Sequence, residues 1–365
     1  MTTSVLRGSP DTAATSPVAR RYRWLVFATT VLTFVVVVVG AYVRLSDAGL
    51  GCPDWPGCYG RLTPVHAQED IARAVESQGG THGPVSMPKA WKEMGHRYLA
   101  GTLGLLIALV AALAWRHRGE LHQSPRLATG LLAVVLFQAT LGMWTVTLLL
   151  KPVIVTLHLL GGMTLLALLG WLSMRQLPAP PASAIASVPS GLRTLARIGL
   201  VLVFAQIALG GWVSSNYAAL ACTDFPLCHG RVVPAMDWSH AFDILRKLGM
   251  TVDGEPLPAE SLVAMHFTHR LGAYVVLLFS GYLAWRLSRF APTRALALVL
   301  AAALAAQFTL GVLNVVLSLP LPLAAAHNAG AALLLVTLVV INYRVASPAH
   351  DARASPATRS GPRLA

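Results

Sequence analysis

The sequence predicts an all-α polytopic membrane protein whose eight transmembrane helices form two pseudo-symmetric four-helix bundles. Three observations predict this. Of 365 residues, 55% are hydrophobic and only 12% charged, against about 25% charged in a soluble domain. Apolar runs close to the ~20 residues that cross a bilayer recur near 24–43, 97–115, 127–148, 152–173, 197–215, 267–285, 295–317 and 322–342. The second half of the chain also repeats the first. Gly40-Ala-Tyr-Val and the later Cys52-Pro-Asp-Trp-Pro-Gly-Cys58-Tyr-Gly60-Arg61 align with Gly210-Gly-Trp-Val and Cys222-Thr-Asp-Phe-Pro-Leu-Cys228-His-Gly230-Arg231 at an offset of 170. Four spans per repeat is an even number, so both repeats keep one orientation, related by an axis along the membrane normal.

Taken in order, residues 1–23 read as a cytoplasmic tail. They carry Arg7, Arg20, Arg21 and Arg23 and lack both an apolar signal core and a small-residue cleavage site. The same Ser/Thr-rich, acid-poor composition also fits an organelle transit peptide. Residues 24–175 read as the N-terminal bundle, the Pro-, Ala- and Ser-rich stretch 176–194 as a linker, 195–343 as the C-terminal bundle and 344–365 as a second cytoplasmic tail. The net charge of +13 comes from cations in short loops between apolar runs, a pattern of topology and not of nucleic-acid binding. Of 28 Lys and Arg, 17 fall on the side of the N-terminus, so both termini are expected inside. The two long loops, about 44–95 and 216–262, then face outward with all four cysteines, where an oxidising environment lets disulfides persist.

Four histidines stand within or at the mouths of spans: His96 and His158 in the first half, His269 and His327 in the second. Ionisable groups at membrane depth are rare and usually functional. His96 opens the second span from outside. His158 lies about six residues into the fourth, roughly 9 Å deep at 1.5 Å per residue, so the two share a depth. The second half repeats the arrangement. Two imidazoles on facing helices suit a six-coordinate haem iron in a bundle core. Gly161, Gly162 and Gly330, just after the inner histidines, would leave room for a flat macrocycle. A lone membrane histidine is as often a hydrogen bond to a neighbouring helix; recurrence in register favours the metal reading. His266 rivals His269 by sharing its helix face, and His269 is preferred because it alone repeats the His-Arg pair. Histidines 66, 82, 117, 122, 229, 240 and 350 lie in loops or tails. Arg97 and Arg270 read either as snorkelling anchors or as partners of haem propionates. Glu93, one turn before His96, is either a surface acid at a helix start or a sign that the two metal sites do different work, since Met265 and His266 stand near its place in the second half.

The stretch Arg44-Leu-Ser-Asp-Ala-Gly49-Leu-Gly-Cys52-Pro53-Asp54-Trp55-Pro56-Gly-Cys58-Tyr-Gly60, then Glu93-x-x-His96-Arg97, then the later histidines, resembles the haem A synthase family over about 24–343. The resemblance implies an eight-helix oxidoreductase of cytochrome-oxidase assembly in the bacterial inner membrane. It would oxidise the C8 methyl of haem O to the formyl of haem A through an alcohol. On this resemblance His96 and His158 hold the substrate haem O, and His269 and His327 hold a resident haem B. Glu93 serves the oxidation, and Cys52–Cys58 and Cys222–Cys228 are disulfides. A haem O synthase and an electron acceptor in the membrane are the implied partners, and a homo-oligomer is compatible with them. The other classes the pattern admits are a di-haem b-type electron carrier and a membrane thiol–quinone oxidoreductase.

Overall fold

The computed structural model describes residues 16–121, 123–177 and 189–346. Most of both expected tails and most of the linker, with His122 and His350, lie outside the described residues. Among them, eight helices are long and apolar enough to cross a membrane. These are α1 (Pro17–Leu45), α2 (Met87–Arg116), α3 (Arg126–Thr147), α4 (Pro152–Arg175), α5 (Ser190–Ser215), α6 (Ala259–Ser288), α7 (Arg294–Val316) and α8 (Leu321–Val345). The protein is a multi-pass membrane protein.

Local chemistry sets where the helices start. Ser16 caps α1 by accepting from the Ala19 N–H at 3.0 Å, and Ser86 caps α2 by accepting from the Lys89 N–H at 3.4 Å. Proline occupies the first turn of α1, α2, α4 and α8, where its missing N–H has no helical partner to lose. α2 begins ten residues before the span expected at 97, and α6 eight before that expected at 267. Hydropathy follows the lipid-facing part of a helix, whereas helical hydrogen bonding continues into the long connecting loops. Lys89, Lys92, Glu93 and Arg97 depress the apolar signal without breaking α2.

Each half closes as a ring of four neighbours, α1–α2–α3–α4 and α5–α6–α7–α8. The histidine-bearing α2 and α4 stand on one diagonal of the first ring, and α6 and α8 on one diagonal of the second. Leu103, Ile107, Val110, Leu131, Leu165 and Leu169 fill the inner part of the first bundle; Val203, Leu283, Leu300, Leu335 and Leu338 fill that of the second. The halves meet through α1 and α4 of the first against α8 and α5 of the second.

Repeat mates touch where the halves meet. Arg44 Nη2 donates to the Ser214 carbonyl at 2.8 Å, and the Tyr217 hydroxyl donates to Asp47 at 2.9 Å. Each of these pairs is separated by 170 residues. At the other end a Cβ on Gly170 would lie 3.8 Å from Val339, its mate at 169. Self-contact of equivalent positions is what a two-fold axis produces, so these contacts are consistent with the expected pseudo-symmetry. The backbone agrees. The non-glycine residues with positive φ are, among the described residues, Asp47 and Tyr217, Tyr59 and His229, Leu149 and Ser318, Leu150 and Leu319, each a pair of repeat mates. Left-handed backbone is uncommon for such side chains.

Candidate functional site

The sequence places each of the four histidines opposite a glycine on the preceding helix. The imidazole of His96 on α2 lies against Gly40 of α1, that of His158 on α4 against Gly142 of α3, that of His269 on α6 against Gly210 of α5, and that of His327 on α8 against Gly311 of α7. A Cβ built at these glycines would come 2.9, 3.1, 3.0 and 3.1 Å from the ring Cε1 atoms, so any larger residue would push the ring from its seat. The histidines are partly buried. Nδ1 of His96, His158 and His327 is buried with no hydrogen-bond partner. Unsatisfied buried polar atoms are costly and call for a reason.

Three glutamines accompany these rings, and sequence reading missed them. Gln138 Nε2 donates to the His158 carbonyl at 2.6 Å. Gln206 Nε2 donates to the His269 carbonyl at 2.8 Å and lies 3.0 Å from its Nδ1. Gln307 Nε2 lies 3.5 Å from His327 Nε2. Each glutamine sits in a Gln-x-x-Leu-Gly run, 138–142, 206–210 and 307–311, whose final glycine is the histidine seat. That threefold recurrence was the available signal. Each also faces a glycine three residues after the histidine: Gly161, Gly272 and Gly330, where a Cβ would collide with the glutamine Oε1. The space that sequence reading gave to a macrocycle beside Gly161 and Gly330 is therefore filled by glutamine side chains. At His96 the pattern stops, with Val36 in the glutamine's place and Leu99 in the glycine's.

The residues present fit a haem in each half. His96 and His158 stand on helices of one ring, as do His269 and His327 of the other. Each pair spans a diagonal of its ring, across the bundle core. No cluster of three or more His, Cys, Asp or Glu among the described residues could chelate a bare metal ion. Histidines in twos suit an iron whose other ligands come from a macrocycle.

Next to the histidines, each disulfide-bearing loop is pinned to its helix by an arginine and one further side chain. Cys52–Cys58 and Cys222–Cys228 are disulfides, with Cα–Cα distances of 4.8 and 5.0 Å. Glu93, 4% exposed, accepts from the Cys52 N–H through Oε2 at 2.9 Å and pairs through Oε1 with Arg97 Nη2 at 2.5 Å. Arg97 Nη1 donates to the carbonyls of Asp54 and Gly57. In the second half His266 takes Glu93's place. Its Nδ1 lies 3.3 Å from the Cys222 N and its Nε2 lies 3.2 Å from Arg270 Nε, and the neutral ring accepts at one of these two nitrogens. Arg270 also donates to the carbonyls of Cys222, Asp224 and Leu227. His266 is thus the positional counterpart of Glu93, seated in the loop clamp, while His269 sits on the glycine seat. Both arginines thus bind loop carbonyls together with one side chain of their own helix, Glu93 for Arg97 and His266 for Arg270. The loop tips match as well: Asp54 accepts from the Tyr59 and Gly60 N–H groups, and Asp224 from those of His229 and Gly230. The Gly230 bond leads in holding the exposed Asp224 carboxyl below the usual carboxylate range.

Residues 23–339 match the family described as "Cytochrome oxidase assembly protein". A "Heme A synthase" of Shewanella oneidensis is 42% identical over 320 residues, 88% of this chain and 95% of the relative. Another of Methylorubrum populi is 32% identical over 353 residues, 90% of this chain and 88% of the relative. A third, of a Caulobacter species, is 29% identical over 349 residues, 89% and 96% of the two chains.

Proposed function

The chain belongs to the haem A synthase family of cytochrome oxidase assembly proteins, and from that premise we propose that it oxidises the C8 methyl of haem O to the formyl of haem A through an alcohol. The observation that carries the reading is the pairing of histidines on diagonal helices, each ring on a glycine seat, once in each half. His96 and His158 hold the substrate haem O. His269 and His327 hold haem B, which supplies one-electron redox chemistry when bound. The bundle core excludes water from both. Going from methyl to formyl takes one oxygen atom from water and releases four protons and four electrons; the electrons pass to an acceptor in the membrane, and a haem O synthase supplies the substrate.

Glu93 gives the first half a fixed negative charge that the second half lacks, His266 standing in its place. A carbon losing electron density is stabilised by such a charge, and the effect is large only where water is excluded. In this role Glu93 acts from the loop clamp, where Arg97 and the Cys52 N–H fix its carboxylate one helical turn from His96. The reading also sets both termini inside, in a bacterial inner membrane, with the disulfide loops outside. The thiol–quinone alternative finds little support in cysteines that are at most 1% exposed.

The test is to extract the haems from purified protein and resolve haems B, O and A by chromatography. Haem B together with haem O or A is expected. Haem B alone in both sites would replace this reading with that of an electron carrier.

A further inference from the structure

Gly51 lies where the first loop runs against the start of α2. A Cβ built on it would stand 2.6 Å from the Lys89 carbonyl carbon, 2.7 Å from the Ala90 nitrogen and 2.8 Å from the Lys89 carbonyl oxygen. Non-bonded carbons rest at about 3.5–4.0 Å, and helix backbone cannot swing aside as the end of a flexible side chain can. Gly51 is not among the glycines with positive φ, so the chain uses its missing side chain here and not its conformational freedom. The next residue, Cys52, donates its N–H to Glu93 Oε2 at 2.9 Å. The path to it is tied down: the Ala48 N–H donates to the Val43 carbonyl at 3.0 Å, and the Gly51 N–H to the Ala48 carbonyl at 3.2 Å. Lifting Gly51 from α2 therefore lifts the Cys52 N–H from Glu93. In the second half Ala221 stands at this place, and the Cys222 N lies 3.3 Å from Nδ1 of His266. The half with the carboxylate has bare backbone at this contact, and the half with the imidazole carries a methyl.

We propose, resting on the reading of Glu93 given above, that Gly51 is a positioning residue for the oxidation. It lets the loop backbone lie directly on Lys89 and Ala90, which brings the Cys52 N–H onto Glu93 Oε2. With Arg97 on Oε1, both carboxylate oxygens are then held and the group has one orientation. A methyl at position 51 must separate loop and helix by about 1 Å to reach ordinary contact. That opening takes the Cys52 N–H bond past the roughly 3.2 Å limit of a hydrogen bond. Glu93 then keeps Arg97 alone and is free to turn. A charge stabilises a developing opposite charge best when it is fixed beforehand, and a misplacement of about 1 Å costs on the order of 10²-fold in rate.

The experiment makes Gly51→Ala in the full-length protein, alone and together with Glu93→Gln. Haems B, O and A are extracted and resolved by chromatography, and amide hydrogen exchange is read at Cys52 and at Gly60 by mass spectrometry. Gly51→Ala should keep haem B and haem O, lower haem A about 10²-fold, and speed exchange at Cys52. Gly60, whose N–H is held by Asp54, should stay protected. Added to Glu93→Gln, the same change should lower haem A no further, because residues that act through one interaction are not additive; a purely structural loss would add. Near-normal haem A in Glu93→Gln would remove the role of Glu93 and this proposal with it. A large loss in Glu93→Gln with near-normal haem A in Gly51→Ala would overturn this proposal alone, as would a full further loss in the double variant. Loss of haem B together with protection at Gly60 in Gly51→Ala would show that Gly51 serves the fold, and would overturn it as well.

Discussion

The two halves of the molecule differ most around one histidine and hardly at all around its partner. Between α3–α4 and α7–α8 the glutamine, both glycines and the histidine are identical: Gln138 and Gln307, Gly142 and Gly311, His158 and His327, Gly161 and Gly330. Between α1–α2 and α5–α6 the glycine seat and the histidine remain, but Glu93 faces His266, Val36 faces Gln206 and Leu99 faces Gly272. The changes gather within about one turn of His96 and the seat opposite it. A duplicated scaffold has kept one ligand environment in common and divided the other. The two halves therefore differ most at the corner nearest His96, in charge and in the side chains around the ring.

Exchanging the charge should perturb the protein most. Glu93→His gives the first half the residue of the second half's clamp, an imidazole with one lone pair in place of a carboxylate that meets both the Cys52 N–H and Arg97. Haem O should remain bound while haem A formation falls on the order of 10²–10³-fold, the usual cost of removing one preorganised electrostatic group. Haem analysis of membranes carrying the variant reads this directly. A near-normal yield of haem A would mean that the carboxylate is not what separates the halves. Loss of all haem from the first half would mean that Glu93 serves the fold and not the oxidation.

The arginines offer a second contrast at smaller scale. The Glu93 and Arg97 side chains are 6% and 11% exposed. Arg97→Met would therefore leave a buried carboxylate uncompensated, which costs about 3–5 kcal/mol. Arg270→Met removes donors from loop carbonyls and from an imidazole, which needs no counter-charge, at about 1–3 kcal/mol. Thermal unfolding with limited proteolysis of loops 44–86 and 216–258 should show the first loop loosened more than the second. Glu93→Gln added to Arg97→Met should recover part of the loss. Equal destabilisation in the two halves would show that charge pairing adds nothing to the clamp.

Much of this was legible in the sequence. Hydropathy gave the eight spans, and the 170-residue offset gave the duplication, down to both disulfide loops. His96, His158, His269 and His327 could be singled out because an ionisable side chain in an apolar run has few structural reasons to be there. Less legible was anything that depends on which helix faces which. Glutamine in a span resembles a tolerated polar residue until the glycine opposite it is known. Gly161 and Gly330 showed that bulk was excluded without showing for whom. Arg97 and Arg270 were read as snorkelling anchors or propionate partners, and the backbone carbonyls they bind, some forty residues earlier in the chain, carry no sequence signature. His266 was read as a rival ligand because spacing along one helix says nothing about the Cys222 N–H above it.

The mildest consequence is expected where the halves agree. Asp54 and Asp224 each hold two successive N–H groups at the tip of a disulfide loop, at 2.6 and 2.7 Å in the first half and 2.7 and 2.9 Å in the second. The residues that donate, Tyr59 and Gly60, His229 and Gly230, all have positive φ. A carboxylate that accepts from consecutive amides in such a turn stabilises its backbone. Asp54→Ala and Asp224→Ala should then speed amide hydrogen exchange at those residues to the same degree and leave the helices untouched. The pH dependence has a definite sign. The folded Asp224 carboxyl titrates below its ordinary value, so its contribution is complete above the unfolded pKa of about 3.9 and is lost only as pH falls through the lower folded value. Protection of Gly230 should therefore hold down to about pH 4, decline in stronger acid, and be absent at every pH in Asp224→Ala. Unequal loss of protection at Gly60 and Gly230 in the two variants would show that the divergence around His96 extends to the loop tips.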